Sequence, residues 1–261
     1  MPEPKITSPR FRRGTFWPIT LAVAVAWAAS PLAAGRDDVA QALKDPLRPE
    51  RARELDAARK PLEVLTFAGV KPGDKVAELM PGAGYYTILF SDIVGPRGKV
   101  YAVAPAEILK LGPRATDGIT ALQPTHKNIV LQTPSLNAFD PPEKLDLVWT
   151  SWNYHDFHDP FMAPTDAGLT NRAIYAALKP GGVYIVVDHQ AAAGSGVRDT
   201  NTLHRIDVEA VKREVQAAGF QLDETSNLLA NPNDPHTANV FDGSVRGHTD
   251  TFVLKFRKPA S

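Results

Sequence analysis

The stretch VAELMPGAGYYT, residues 76–87, is the part of the sequence that most strongly indicates the fold. An acidic residue, Glu78, ends a short apolar strand, and a tight turn with two glycines then opens a helix. Glycine lets the backbone pass close to a ligand, and the helix N-terminus that follows offers unpaired amide donors. The order strand, glycine turn, helix therefore predicts a ligand-binding turn. A tight turn with only a structural role is the alternative.

Strands and helices alternate outward from this stretch. Strands are predicted at 75–79, 99–104, 127–132, 145–152, 183–188, 221–229 and 251–257. Helices are predicted at 38–43, 49–60, 61–67, 85–94, 165–178 and 207–218, the last with Asp207 as its N-cap. Such alternation predicts an α/β domain with a mainly parallel sheet and helices on both faces. Ligands of such sheets bind beyond the carboxyl ends of the strands.

The first 34 residues have the composition of an export signal. Four basic side chains lie between residues 5 and 13, an apolar run follows at 16–29, and small residues precede Gly35. The run is shorter than the roughly 20 residues of a membrane span, so we expect a signal peptide cleaved near Ala34 and an exported, periplasmic protein without stable membrane association. An uncleaved anchor is the alternative. Arg12-Arg13 suggests twin-arginine export, although Thr15 departs from that motif.

Composition excludes several classes of protein. The chain has 261 residues, 43% hydrophobic and 22% charged, which fits one ordinary globular domain. It has no cysteine, which excludes disulfides, thiolate zinc sites and a cysteine nucleophile. Its formal net charge is zero, so nothing predicts a nucleic-acid partner. The seven histidines form no complete metal-binding signature, and no metal site is predicted.

The glycine turn resembles motif I of the class I S-adenosylmethionine (SAM)-dependent methyltransferases, acidic-x-Gly-x-Gly-x-Gly. Glu78, Gly82 and Gly84 match, whereas Met80 replaces the first glycine. The apolar run at 145–148 and the Lys-Pro-Gly-Gly segment at 179–182 are also typical of this family. Within it, the chain is most similar to predicted exported methyltransferases with a Pro-Gly-x-Gly turn. The resemblance implies a single Rossmann-like domain with a seven-stranded sheet at 61–261, behind a signal at 1–34 and a helical segment at 35–60.

The same resemblance implies a SAM-binding site and a small-molecule methyl acceptor. Glu78, Gly82 and Gly84 would hold the amino-acid end of SAM. The complete expected set of cofactor-binding residues is Glu78, Pro81, Gly82, Gly84, Tyr85, Tyr86, Trp152 and Asp188. The family usually ends its second strand with an acid that binds the ribose, but this chain has Ala104 there, with Glu107 as the nearest carboxylate. Asn137 or Asp140 could replace the acid that often follows the third strand.

The loop after the fourth predicted strand, WTSWNYHDFHDP at 149–160, is rich in aromatic and histidine residues. In the family this loop lines the place where substrate meets the methyl group, and an aromatic face suits a sulfonium cation. The expected catalytic residues are Asn153, Tyr154, His155 and Asp156. Of these, His155 or Asp156 would take a proton from an acceptor hydroxyl. The alternative is that the tryptophans belong to the core and the rest forms a surface turn.

Two features of the C-terminal half allow more than one interpretation. The polar connection at 231–250 is unusually long, so it either folds over the cleft as a lid or remains a solvated loop. Arg205 is expected to pair with a substrate carboxylate or with Asp207.

Two other functional hypotheses compete with methyl transfer. A nicotinamide-dependent oxidoreductase is disfavoured, because the glycine spacing and the missing acid after the second strand do not fit its fingerprint. An exported binding domain that keeps the fold without catalysis is the main alternative, because SAM is made in the cytoplasm. The sequence gives no indication of the oligomeric state.

Overall fold

One seven-stranded sheet organises the part of the chain described by the computed structural model, residues 1–2, 31–112 and 114–260. Its strands are β1 (Lys75–Leu79), β2 (Lys99–Val103), β3 (Ile129–Gln132), β4 (Leu145–Ser151), β5 (Leu178–His189), β6 (Gln221–Ser226) and β7 (Thr251–Arg257). Their order is β3-β2-β1-β4-β5-β7-β6, and only the pairs that involve β7 are antiparallel. The predicted Rossmann-like, seven-stranded, mainly parallel sheet is confirmed.

Helices cover both faces of this sheet. In the described residues they are α1 (Pro31–Ala42), α2 (Glu50–Glu54), α3 (Asp56–Arg59), α4 (Pro61–Ala68), α5 (Tyr85–Val94), α6 (Ala106–Leu109), α7 (Asp117–Leu122), α8 (Ala167–Ala177), α9 (Thr200–Leu203) and α10 (Val208–Ala217). Short 3-10 helices lie at Leu136–Ala138, His155–His158 and Pro160–Met162. The predicted N-cap of α10 is confirmed, since the Asp207 side chain accepts a hydrogen bond from the Glu209 amide.

Alternating side chains of the strands build two apolar layers. In β1, Val76 packs with the layer formed by α1, α4 and α5, whereas Ala77 packs with the layer formed by α8 and α10. The same alternation continues in β5, where Tyr184 and Ile185 belong to opposite layers. Burial of β5 on both faces explains why residues 183–187 form a continuous apolar run.

The structure corrects three local predictions. The predicted helix at 49–60 is two short helices, α2 and α3, that meet at Leu55. The Lys-Pro-Gly-Gly segment belongs to β5, which already pairs at Leu178 with Leu145 and then bulges before Val183 pairs with Leu147. The short helices α6, α7 and α9 were not predicted.

Most of the predicted export signal, residues 3–30, lies outside the described residues, and so does the Arg12-Arg13 pair. Helix α1 spans the expected cleavage position near Ala34, and its residue Val39 is fully buried. Among the described helices, none has the length and apolar character needed to cross a membrane.

Candidate functional site

The glycine turn lies at the point where the strand order reverses. Strand β1 pairs with β2 on one side and with β4 on the other, so the loops after β1 and β4 diverge at the carboxyl edge of the sheet. Such a switch point leaves a crevice between the two loops. The turn at 80–84 and the loop that begins at Trp152 form the two sides of this crevice.

The backbone of the turn explains its sequence. Met80, Gly82 and Gly84 all have positive φ angles, of 54°, 55° and 83°. A Cβ atom at Gly82 would meet nothing within 4 Å, whereas one at Gly84 would lie 2.7 Å from Cδ1 of Leu122 on α7. The left-handed backbone of Gly84 and its close packing against Leu122 both favour glycine there, whereas Gly82 faces open space. Met80 takes the conformation that glycine adopts most easily.

Helix α5 begins directly after this turn, at Tyr85. Gly84 is its N-cap residue, and no side chain caps the helix. The first-turn amides of an uncapped helix are available to a ligand, and the helix dipole favours an anionic group there. The turn and the helix together can therefore bind a carboxylate.

A cavity of about 340 Å³ opens over the turn. Seven of the eight expected cofactor-binding residues line it, together with Asn153 of the loop after β4. The seven are Glu78, Pro81, Gly82, Gly84, Tyr85, Tyr86 and Trp152. The amide of Asn153 donates to the Met80 carbonyl over 3.1 Å, which joins the two sides of the crevice. We call this space the turn cavity.

Asp188, the eighth expected residue, does not line the turn cavity. It is fully buried at the end of β5, where its carboxylate accepts hydrogen bonds from the His155 amide over 2.8 Å and from His155 Nδ1 over 2.9 Å. Its interactions fasten the loop after β4 to β5.

Glu78 lies almost fully buried beneath the turn cavity. Its carboxyl accepts a hydrogen bond from the Thr87 hydroxyl on α5. Burial raises the pKa of Glu78 to about 8, although Thr87 and the guanidinium of Arg59 oppose this shift. The group is therefore mostly protonated at neutral pH, and a cationic group bound nearby would favour its ionised form.

Two residues that line the turn cavity each carry a polar atom without a hydrogen-bond partner in the described part of the chain. The Tyr86 hydroxyl and Trp152 Nε1 are both buried, and neither makes a hydrogen bond within the described residues. Trp152 has a positive φ of 57°, and its indole ring lies 6.3 Å from the Tyr86 ring. Buried polar groups without a partner are rare in folded proteins, so these two atoms suit a polar ligand.

The helices α2 and α3 close one side of the turn cavity, which sequence reasoning missed. Asp56 on α3 accepts two hydrogen bonds from the buried Arg48 guanidinium, at 2.9 and 2.6 Å, and a third from the Tyr85 hydroxyl at 2.7 Å. The Arg59 guanidinium lies over the rings of Tyr85 and Trp152, 4.3 and 4.7 Å from their centroids. The rings of Tyr85 and Trp152 in this cavity therefore already contact a cation, the guanidinium of Arg59.

A second cavity of about 450 Å³ lies on the other side of α2 and α3. It shares Arg51, Leu55, Arg59 and Trp152 with the turn cavity, and His189 of β5 also lines it. Burial lowers the pKa of His189 to about 3, so its ring is neutral at neutral pH. The Thr249 hydroxyl lies 2.8 Å from Nδ1 of this ring. We call this space the outer cavity.

The long connection at 231–250 forms one wall of the outer cavity, through residues such as Val240 and Phe241. Its base is fastened by a fully buried ion pair in which Arg205 donates two hydrogen bonds to Asp234, at 2.8 and 3.1 Å. Of the two partners expected for Arg205, Asp207 does not pair with it, and Arg205 lines neither the turn cavity nor the outer cavity, where a substrate carboxylate would bind. The connection is thus anchored at its base, and the exposed Phe241 lies in its distal part.

The four expected catalytic residues separate in space. Asn153 lines the turn cavity, but Tyr154 is fully buried in the layer formed by α8 and α10. Its hydroxyl donates to Glu214 and accepts from the amide of Asn171, each over 2.8 Å. Burial raises the pKa of Tyr154 well above its usual value. Tyr154 therefore has a structural position.

His155 and Asp156 also lie outside both cavities. Burial alone would lower the pKa of His155, but the carboxylates of Asp188 and Asp156 raise it to about 10. A ring that is protonated at neutral pH does not accept a proton from a substrate. The expected role of His155 as a general base thus has no support from its surroundings.

Glu107, Asn137 and Asp140, the candidates for the acids that the family places after its second and third strands, do not line the turn cavity. Glu107 on α6 is buried and accepts a hydrogen bond from the Ser135 hydroxyl over 2.7 Å. The side chain of Asn137 donates to the Pro164 carbonyl and accepts from the Asp166 amide, just before α8. Asp140 is exposed. No described carboxylate after β2 or β3 reaches the turn cavity.

Another cavity, of about 470 Å³, lies at the opposite edge of the sheet, beside Lys71, Asp146 and Lys179. Because ligands of parallel sheets bind at the carboxyl edge, the turn cavity is the better candidate site. It also contains the glycine turn and the unpartnered polar atoms.

No family model matches the chain, and no curated protein matches it in sequence. Solved structures do resemble it. One is a SAM-dependent methyltransferase from Aquifex aeolicus, with a TM-score of 0.55 and 18% identity over 85% of this chain and 98% of that one. A SAM-dependent methyltransferase from Mesorhizobium loti has a TM-score of 0.55 and 15% identity over 78% of this chain and 99% of that one.

A third similar structure is that of the cyclase SpnF, with a TM-score of 0.57 and 16% identity over 80% of this chain and 82% of that one. At such identities the likeness concerns the fold, and one fold supports several chemistries. The strand order with its antiparallel β7, together with these likenesses, shows that the chain has the Rossmann-like fold of class I SAM-dependent methyltransferases.

Proposed function

We propose that this protein is a SAM-dependent methyltransferase that binds SAM in the turn cavity and a small-molecule acceptor in the outer cavity. The observation that carries the proposal is the convergence of seven expected cofactor-binding residues on one cavity at the switch point. Residues from the loops after β1 and β4 meet there, as a ligand site of this fold requires.

The residues present fit SAM. Gly82 faces open space and α5 presents uncapped amides, which suit the carboxylate of the amino-acid end. Glu78 lies below, where a cationic amino group would favour its ionised form. The Tyr86 hydroxyl and Trp152 Nε1 offer the remaining polar contacts. Bound there, SAM would supply a methyl group on a positively charged sulfur.

The chain's own contribution to the chemistry is chiefly positioning. Trp152 and Arg59 line both cavities, so they stand between the proposed cofactor and acceptor positions. The neutral ring of His189 can accept a hydrogen bond from an acceptor hydroxyl and so orient it. Since Tyr154 and His155 are engaged elsewhere, alignment of the two ligands supplies most of the proposed rate enhancement.

Calorimetric titration with SAM tests the proposal. In Gly82→Asp the added carboxylate enters the turn cavity, so we expect its SAM affinity to fall at least about a hundredfold, which is about 2.7 kcal/mol. Gly69→Asp is the matched control, because Gly69 also has a positive φ and open space around its Cβ position but lies outside the turn cavity. Equal SAM affinity in both variants would refute the site.

A non-catalytic binding domain is the second candidate function. It is favoured by Ala104, which occupies the position of the ribose-binding acid, and by the distance of Tyr154 and His155 from the cavities. If the protein binds SAM but transfers no methyl group to any acceptor in a broad screen, this second function is the better one.

Export to the periplasm, proposed from residues 1–34, is compatible with either function and is tested by fractionating cells that express the full chain.

A further inference from the structure

Two histidines and an aspartate meet beside the outer cavity. The 3-10 helix at His155–His158 and the segment after α9 bring His155, Asp156 and His204 together, with one ligand atom of each within 4.8 Å of the others. Nε2 of His155 is 3.2 Å from an Asp156 oxygen. The rings of His155 and His204 meet edge to face, 5.4 Å between centroids. Imidazole nitrogens with carboxylate oxygens form a donor set for Zn²⁺ and similar ions.

Asp159 provides an independent observation at the same place. It directly follows the 3-10 helix that carries His155 and Asp156, and only 3% of its surface is exposed. Both of its carboxylate oxygens are buried, and neither has a hydrogen-bond partner among the described residues. Burial raises the pKa of the Asp159 carboxyl, and the Thr200 hydroxyl, which donates to the Val197 carbonyl over 3.2 Å, also lies close enough to Asp159 to lower it. A buried carboxylate without partners is costly unless a cation compensates its charge.

The surroundings of Asp159 contain the other members of the cluster. The Asp159 amide donates to the Asp156 carbonyl over 3.0 Å, and α9, which His204 follows, packs against the 3-10 helix that carries His155 and Asp156. The four side chains therefore occupy one region, between the loop after β4 and the short helix α9.

Asp188 orients His155 in this cluster. The carboxylate of Asp188 lies 2.9 Å from Nδ1 of His155 and also accepts the His155 amide hydrogen. With Nδ1 engaged in this way, Nε2 is the ring nitrogen that faces Asp156, and a metal ion bound there would displace the Nε2 proton of the otherwise protonated ring. A carboxylate behind a histidine fixes the ring orientation and increases its basicity as a metal ligand.

We propose that His155, His204 and Asp156 bind a divalent transition-metal ion, with Zn²⁺ the best match to these two nitrogens and one carboxylate, and that the buried Asp159 carboxylate beside them helps to compensate its charge. The two carboxylates balance the charge of the ion. Asp156 and His204 are half-buried, which leaves a path for the ion to enter. The sequence showed no metal signature because the ligands come from two distant segments.

The ion would connect the loop after β4 with the segment after α9. The ring of His189, which lines the outer cavity, lies 6.3 Å from the ring of His155. Phe241, in the wall of the same cavity, contacts His204 at 5.1 Å between ring centroids. The metal therefore has a structural role at the edge of the proposed acceptor site, and its binding does not depend on SAM.

Zinc titration of the full chain, first freed of metal with a chelator, tests this site. We expect the wild-type chain to bind one Zn²⁺ and to unfold at a higher temperature in its presence. His204→Ala removes a side chain that makes no hydrogen bond to a described residue, so the variant should fold and bind zinc at least about tenfold more weakly. His248→Ala, the removal of an exposed histidine outside the cluster, is the matched control and should bind like the wild type.

Asp159→Asn separates metal binding from folding. Because the variant lacks the buried charge, we expect the metal-free variant to unfold at a higher temperature than the metal-free wild type. Its unfolding temperature should then respond less to zinc. Wild-type zinc affinity in both His204→Ala and Asp159→Asn would overturn the proposal, and so would the absence of zinc binding to the wild type at tens of micromolar.

Discussion

Glu78 allows a quantitative test of the environment under the glycine turn. Its pKa is raised by burial from 4.5 to about 8. A carboxyl whose pKa is higher in the folded state binds its proton more tightly there than in the unfolded chain. Below pH 4.5 the Glu78 carboxyl is neutral in both the folded and the unfolded chain and does not oppose folding. Between about pH 4.5 and 8 it ionises in the unfolded chain but stays neutral in the folded one, so the free energy of unfolding falls as the pH rises.

The size of this effect follows from the shift in pKa. At about 1.4 kcal/mol per unit, the rise from 4.5 to about 8 corresponds to at most about 5 kcal/mol of lost stability above pH 8. Relaxation around the ionised group reduces this amount. Glu78→Gln keeps an acceptor for Thr87 but cannot ionise, so we expect the variant to lose this pH dependence and to be more stable than the wild type at pH 9.

Urea unfolding at pH 5, 7 and 9, followed by tryptophan fluorescence, measures the difference. Glu54→Gln is the control, because Glu54 is exposed on α2 and its replacement should change stability equally at each pH. A difference between Glu78→Gln and the wild type that stays constant from pH 5 to 9 would refute the reasoning.

Three further predictions concern stability and binding. Gly84→Ala should cost about 1–3 kcal/mol, measured by urea unfolding, because alanine would have to keep a φ of 83° and its methyl group would meet Leu122; unchanged stability would contradict this backbone and its packing against α7. Tyr154→Phe should lower stability by about 1–3 kcal/mol through the loss of its hydrogen bonds with the buried Asn171 and the half-buried Glu214, while SAM affinity in calorimetry is unchanged; a loss confined to SAM affinity would restore Tyr154 to the site. Asp234→Ala should cost about 3–5 kcal/mol because Arg205 loses its buried partner, and a cost below 1 kcal/mol would show that the pair does not hold the connection.

The sheet and the glycine turn could be predicted because their signals are local. Strand β1 and helix α5 have the predicted bounds, since a short apolar run and a glycine turn define both within about 20 residues of sequence. The turn residues reach one cavity because parallel strands end at one edge. The Asp207 cap is likewise a local interaction, between neighbours in sequence.

The parts that could not be predicted depend on contacts between distant segments. Helices α2 and α3 close one side of the turn cavity, and a hydrogen bond from the Tyr85 hydroxyl to Asp56 joins α3 to α5. Nothing in the local sequence around either residue indicates that Asp56 and Tyr85 meet. The direction of Tyr154 is set by the 3-10 helix that follows β4, which turns the side chain into the core. His155 meets Asp188 only after β4 and β5 pair, so a histidine expected to act on substrate is instead held by a buried carboxylate.

A crystal structure of the protein with SAM tests the central claim most directly. We predict density for the ligand in the turn cavity, between Gly82 and Arg59, with the Tyr86 hydroxyl and Trp152 Nε1 bonded to it. Ligand at the opposite edge of the sheet, beside Lys71 and Asp146, would contradict the account, as would an empty turn cavity at millimolar SAM.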